Sequence, residues 1–206
     1  MKLLFATGNQ FKKELMIERL KELKDIEVVI PKDLGVNIDV VEDGTTPAEN
    51  AYKKAKAYYD VLKMPTIAED SGLYVDKFSD DEQPGLFVKR VNGRDDLSDE
   101  EIQAYYVELL KKHGGESLAC YHTGVCIIDS EGNSFTDTIE ETKFLLTSKI
   151  HEEEYRPGRP LEPISYDIHA KKYFTDRTEK ENENHMKTLN DRYRELVMEH
   201  VLKRII

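Results

Sequence analysis

The chain has 206 residues, 39% of them hydrophobic and 34% charged, and carries a formal net charge of −11. That length is expected to form a single domain, residues 1–206, with room for a core. The negative balance argues against nonspecific nucleic-acid binding, which needs many cations facing the backbone. No apolar run approaches the ~20 residues of a membrane helix, and Met1–Ala6 is too short for a signal peptide and reads as a first strand.

In chain order, residues 2–7 read as a buried strand and 9–24 as a helix, with Met16, Leu20 and Leu23 spaced i, i+4, i+7. Residues 25–30 give a second short strand, stopped by Pro31. Thr46-Pro47-Ala48-Glu49 combines a cap, proline at the first helical position and a glutamate able to reach back. The helix it opens runs to about Leu62. Its expected apolar face is Ala48, Ala51, Tyr52, Ala55, Tyr59 and Leu62, which leaves Asn50 and Lys54 on one flank and Glu49–Lys53 as a supporting pair. After Met64-Pro65, the stretches Thr66–Ala68 and Leu73–Val75 read as strand on either side of Glu69–Gly72.

Ser98-Asp99-Glu100-Glu101 is a capping box for a helix that should stop at Gly114-Gly115. Residues 117–128 and 133–147 read as antiparallel strands joined by a turn at 129–132. Cys120 and Cys126, on one strand at ~3.3 Å per residue, would lie roughly 20 Å apart, so they are expected as buried thiols and the chain as cytoplasmic. Residues 149–183 show no clean periodicity, and a last helix over 183–204 carries Met186, Leu189, Tyr193, Leu196 and Val197. Strands alternating with helices imply an α/β fold built on a mixed sheet.

Three stretches carry chemistry. Thr7-Gly8-Asn9-Gln10-Phe11-Lys12 follows an apolar strand and opens a lysine-rich helix, where free backbone N–H groups and the helix dipole favour a phosphate. Gly8 leaves the backbone open or permits φ > 0. Glu42-Asp43-Gly44 leads into Glu49-Asn50-Ala51 and Lys54, and Glu69-Asp70-Ser71-Gly72 adds more acid. Carboxylates do not bind phosphate, but they hold a divalent cation that does. Glu42 and Asp70 are the expected Mg²⁺ ligands, Asp70 the group that orients and deprotonates a water, and Lys12 and Lys54 the cations on the phosphate chain. Taken singly, each stretch also fits a plain turn or solvated acids, of which the chain has 41. Together they point to a nucleoside triphosphate site.

The three stretches resemble the motifs of the inosine triphosphate pyrophosphatase family, which hydrolyses non-standard purine nucleoside triphosphates such as ITP, dITP and XTP. The family pattern T-G-N-x-x-K is met by Thr7–Lys12. E-x-G-x-T-x-x-E-N-A-x-x-K-A is met by Glu42–Ala55, and acid-D-S-G-L by Glu69–Leu73. Pro84-Gly85 and Arg90 resemble the stretch that follows, with Val88 and Lys89 replacing its serine and alanine. The resemblance is strong over residues 2–92. It implies an elongated mixed sheet flanked by helices, two lobes around a central cleft, and a homodimer. It also implies cleavage between the α- and β-phosphates with Asp70 as the catalytic acid–base group, and substrate contacts by Thr7, Gly8, Asn9, Lys12, Lys54 and Ser71.

The family's base-reading segments are altered. The nearest match to G-F-G-Y-D-P is Pro163–Ile168, which keeps Tyr166 and Asp167 but puts Ile164 where the stacking phenylalanine stands. The nearest match to K-(x)n-S-H-R is Lys187 followed by Asn190-Asp191-Arg192, with Asp191 in the histidine's place. Tyr166, Asp167, Lys187 and Arg192 are therefore the expected base contacts. Two other readings stand beside the first: a pyrophosphatase for a different base, and a nucleotide-binding module that has lost useful catalysis.

Overall fold

A computed structural model describes residues 1–151 and 157–202 of the chain. The expected end of the last helix, at 203–204, lies outside the described residues. The fold is α/β with an open mixed sheet flanked by helices. It divides into two compact units: residues 1–71, 122–140 and 187–206 form the first, and residues 72–121 and 141–186 the second.

In the first unit, β1 (Lys2–Phe5) pairs in parallel with β2 (Glu27–Val29) and with the start of β3 (Thr66–Val75). Leu3, Leu4 and Phe5 are wholly buried, as a parallel strand covered on both faces requires. Helix α1 spans only Gln10–Arg19. The apolar spacing runs on past its end because the following turns also bury Leu20, so periodicity alone places the terminus too late. Helix α2 (Pro47–Leu62) matches its expected bounds: Thr46 Oγ1 accepts from the Glu49 amide, and Lys63 closes the helix in the left-handed region.

The buried face of α2 is rotated from the expected one. It comprises Pro47, Asn50, Ala51, Ala55 and Tyr58, with Tyr59 and Leu62 of the expected face packed part-buried against the core and Tyr52 exposed. Glu49 bonds Thr45 and Lys53 pairs with Asp43, in place of the expected Glu49–Lys53 pair. Ala51, Ala55 and Tyr58 pack with Leu4, Val29, Ala68, Cys126 and Ile128.

Strand β3 is continuous. Glu69–Gly72 lies inside it, in place of the expected interruption, and successive side chains alternate between its faces. Strand β4 (Glu116–Ile128) pairs antiparallel through residues 122–128 with β5 (Ser134–Glu140), across the expected turn. Both cysteines lie on β4 as buried free thiols. The stretch expected as one strand over 133–147 breaks after Glu140, and β6 (Phe144–Thr147) belongs to the second unit.

In that unit β4 residues 116–119 pair antiparallel with β6, β6 with β7 (Ser165–Asp167), and β7 with β8 (Lys172–Tyr173). Helix α3 (Asp99–Lys112) begins at the Ser98–Glu101 capping box and packs Ile102, Tyr106, Val107 and Leu110 against Leu73, Val75, Phe144 and Leu146. The expected C-terminal helix is two helices: α4 (Glu179–His185), capped by Thr178, in the second unit, and α5 (Lys187–Val197), followed by a π-turn over Met198–Leu202, in the first. Among the described residues no helix is long and apolar enough to cross a membrane.

Candidate active site

The site in the first unit is assembled from the β1–α1 turn, the loop before α2, one face of α2 and the middle of β3. At the first of these, Asn9 caps α1: its Oδ1 accepts from the Phe11 amide at 2.9 Å and the Lys12 amide at 3.3 Å. Its own amide bonds Thr7 Oγ1 at 3.2 Å. Two of the amides expected to be open to phosphate are thus held by the Asn9 side chain. Gly8 has a negative φ, and no atom lies within 4 Å of where a Cβ would sit. Its value is an open approach, and the conformational reason does not apply.

Asn50 and Lys54, four residues apart on α2, each bridge the acidic loop to β3. Asn50 is buried, receives the Gly44 amide on Oδ1 at 2.7 Å, and donates through Nδ2 to Asp70 Oδ2 at 2.9 Å. Lys54 Nζ reaches Glu42 Oε2 at 2.8 Å and the Glu69 carbonyl at 3.3 Å. One helix face therefore ties the Glu42–Gly44 loop to Glu69-Asp70 twice, once by an amide and once by a cation. Gly44 is required at its place, because a Cβ there would stand 2.6 Å from Asn50 Oδ1 and 2.8 Å from Glu49 Cβ. Ser71 Oγ meets Thr123 Oγ1 at 2.8 Å.

A cavity of about 280 Å³ opens over Thr7, Gly8, Glu42 and Lys54, with Asp39 and Tyr58 also in its wall. It is predominantly polar, with backbone and side-chain donors beside a carboxylate. No group of three or more His, Cys, Asp or Glu side chains poised for a metal occurs among the described residues. Mg²⁺ nonetheless fits this donor set, since it keeps several waters and takes one or two carboxylates, with substrate phosphate oxygens as the rest. Asn50 holds only Oδ2 of Asp70 and Lys54 only Oε2 of Glu42, so each bridge engages one oxygen of its carboxylate.

Lys12 Nζ lies 3.3 Å from Glu69 Oε1. Glu69 is buried, and its Oε2 accepts from Arg19 Nη1 at 3.0 Å and from the Tyr193 hydroxyl. Burial would raise its pKa, but Arg19, then Lys12 and the Tyr193 hydroxyl outweigh that and hold the carboxyl below its ordinary value. Arg19 and Tyr193 belong to no motif, so the sequence gives no signal for them.

The expected base contacts are distributed between the units. Lys187 and Arg192 are on α5 in the first, where Lys187 pairs with Asp191 and Arg192 holds Asp137 (2.7 Å) and Glu195 (3.1 Å). Tyr166 and Asp167 are on β7 in the second. Tyr166 is half-buried, edge-on to Tyr173, and Ile164 is wholly buried in the core. Asp167 is buried and bonds the His169 and Ala170 amides and Arg177 Nη1, with His185 Nδ1 at 3.4 Å. Within this unit a mainly apolar cavity of about 310 Å³ is lined by Tyr121, Phe174, Arg177 and His185 among others. The Arg177 guanidinium stacks 3.6 Å over Phe174. His185 closes α4, after Asn184.

Fold and site together define an open mixed-sheet α/β protein with an acid–amide–lysine frame beside a glycine turn. The family model of the Ham1 family matches residues 3–149, and the chain belongs to that family. This bears out the resemblance to inosine triphosphate pyrophosphatases. Among its relatives, the dITP/XTP pyrophosphatase of Hydrogenobaculum sp. is 43% identical over 96 residues, 44% of each chain. That of Aquifex aeolicus is 39% identical over 116 residues, 54% of each, and that of Treponema denticola 35% over 134 residues, 63% of this chain and 65% of that protein. The chain thus matches about half the length of these curated relatives. Over nearly whole chains the fold is shared with a Staphylococcus aureus Ham1 protein (TM-score 0.77, 20% identity, 96% and 98% covered) and a Coxiella burnetii HAM1 protein (0.76, 22%, 97% and 99%).

Proposed function

We propose that the chain is a Mg²⁺-dependent nucleoside triphosphate pyrophosphatase that converts a non-standard purine nucleotide such as ITP, dITP or XTP to the monophosphate and pyrophosphate. The observation that carries this reading is the double bridge from α2, Asn50 to Asp70 and Lys54 to Glu42, which ties both carboxylates to one helix, with Glu42 and Lys54 in the wall of the cavity over Gly8. The curated relatives named as dITP/XTP pyrophosphatases support it, as does the Ham1 family match over residues 3–149, which holds these residues.

In this reading Glu42 and Asp70 hold the ion, whose chemistry is to neutralise phosphate oxygens and lower the pKa of a bound water. Asp70, oriented by Asn50, takes the proton of a water whose oxygen bonds the α-phosphorus. The α–β bridging bond breaks and pyrophosphate leaves with the bridging oxygen. Lys54 and Lys12 offset the charge on the departing group. Thr7, Gly8, Asn9 and Ser71 bound the phosphate path, and Tyr166, Asp167, Lys187 and Arg192 remain the proposed base contacts. The homodimer and the cytoplasmic location belong to the same proposal, and sedimentation tests the dimer.

The test is incubation with a panel of (d)NTPs and Mg²⁺, scored for pyrophosphate, with ITP, dITP and XTP expected to show the highest kcat/KM. A second reading, a pyrophosphatase for another base, is favoured by the complete burial of Ile164, which leaves that position unable to stack on a ring. A pyrimidine or modified nucleotide leading the panel would decide for it. Binding of triphosphates without turnover would decide for a binding module.

A further inference from the structure

We propose that Glu69 is a positioning residue that fixes the ammonium of Lys12, and that Tyr193 and Arg19 fix Glu69 in turn. This inference rests on the pyrophosphatase reading above. Lys12 and Arg19 stand seven residues apart on α1, two turns along one face. Glu69 lies against both: Oε1 to Lys12 Nζ at 3.3 Å, and Oε2 to Arg19 Nη1 at 3.0 Å. The Arg19–Glu69 end is buried, whereas the Lys12 side chain is 41% exposed.

The buried end is itself braced by α5. The Tyr193 hydroxyl donates to Glu69 Oε2, and the Tyr193 ring lies 4.8 Å under the Arg19 guanidinium. Asn190 Oδ1 accepts from Arg19 Nε at 3.1 Å, and Arg194 Nη1 donates to the Arg19 carbonyl at 3.0 Å. A carboxylate fixed on one oxygen by two donors presents its other oxygen at a set place. A lysine otherwise free to sweep solvent is held there, with donors left for a phosphate. Because Glu69 precedes Asp70 on β3 and points to the opposite face, the strand places the Lys12 anchor and the catalytic acid in fixed relation.

Holding a cation where charge develops lowers the barrier more than it tightens ground-state binding. Removing the anchor should therefore lower kcat while KM for the triphosphate stays the same or falls. The experiment is a double-mutant cycle between Glu69→Gln and Lys12→Met, with circular dichroism on each variant and the Mg²⁺ half-saturation measured throughout. We expect Glu69→Gln to lower kcat 10- to 100-fold, roughly the scale of misplacing a positioned group, and to cost nothing further in the Lys12→Met background. Tyr193→Phe, which keeps every charge, should lower kcat a few-fold and be equally silent in that background, and it serves the cycle if Glu69→Gln does not fold.

Equal losses in both backgrounds would assign Glu69 a purely structural role and overturn the proposal. A rise in the Mg²⁺ requirement of Glu69→Gln would also overturn it, by making Glu69 a metal ligand. A wild-type chain that hydrolyses no triphosphate would overturn the functional reading first, and Lys12's assigned role with it.

Discussion

Asp70 is a half-buried acid within β3 with a neutral amide, Asn50 Nδ2, on one oxygen. Asp70→Asn keeps that volume and leaves an oxygen for Asn50, so the fold should survive while kcat falls by at least about 100-fold, the lower end of general-base contributions. Pyrophosphate release and circular dichroism check both halves. Gly44→Ala attacks the same site from the loop, since its methyl would overlap Asn50 Oδ1. It should cost about 1–3 kcal/mol in denaturant unfolding, as overpacking does, and reduce turnover with it.

His185 offers a pH signature. Burial, then the Arg177 guanidinium, press its pKa from 6.5 down to about 4, against the pull of Asp167. The folded state thus keeps the imidazole neutral where the unfolded chain takes a proton, so its stabilising effect is complete above pH 6.5 and fades as pH falls toward 4. The loss by pH 4 is on the order of 3 kcal/mol. The melting temperature followed from pH 7 to 4 should fall across that window, and His185→Gln should flatten the fall.

At the scale of elements, α2 was legible because its ends are chemical: a threonine cap with proline inside it, and a residue in the left-handed region after it. Its rotation was not legible. Alanines and tyrosines surround much of the helix, and only the partner strands select Tyr58 over Tyr52 and Tyr59 for burial. β3 shows the converse. Its central acids read as a loop, yet Arg19, Tyr193 and Asn50 supply partners that let a charged segment continue as strand.

The approach of α2 to β4 makes its own prediction. A Cβ on Gly124 would lie 2.2 Å from the Ala48 nitrogen and 2.3 Å from the Pro47 carbonyl carbon, both rigid backbone. Gly124→Ala should push the first turn of α2 off the strand, destabilise by about 1–3 kcal/mol or more, and lower activity through Asn50. Gly8→Ala, at an open position, serves as the control with little change in melting temperature.

For the molecule as a whole, the metal is expected to serve chemistry alone. In the proposed reading Glu42 and Asp70 would hold it with waters and substrate oxygens as the remaining ligands, so the ion should contribute little to folding. Removing it with EDTA should abolish turnover yet move the melting temperature by no more than a degree or two in the absence of nucleotide, and added Mg²⁺ should restore activity.

Local chemistry determined which residues of this protein matter: Thr7–Lys12, Glu42–Ala55 and Glu69–Leu73 declare themselves through caps, glycines and charges whose preferences act over a few residues. Tertiary packing decided what each does. It turned Asn9 toward the helix amides, buried Asn50 against Asp70, closed Glu69 between Arg19 and Tyr193, and sank Ile164 into the core. Those outcomes depend on partners up to 124 positions away, and the free energy of burying a charge or an amide is set by such partners rather than by neighbours in the chain.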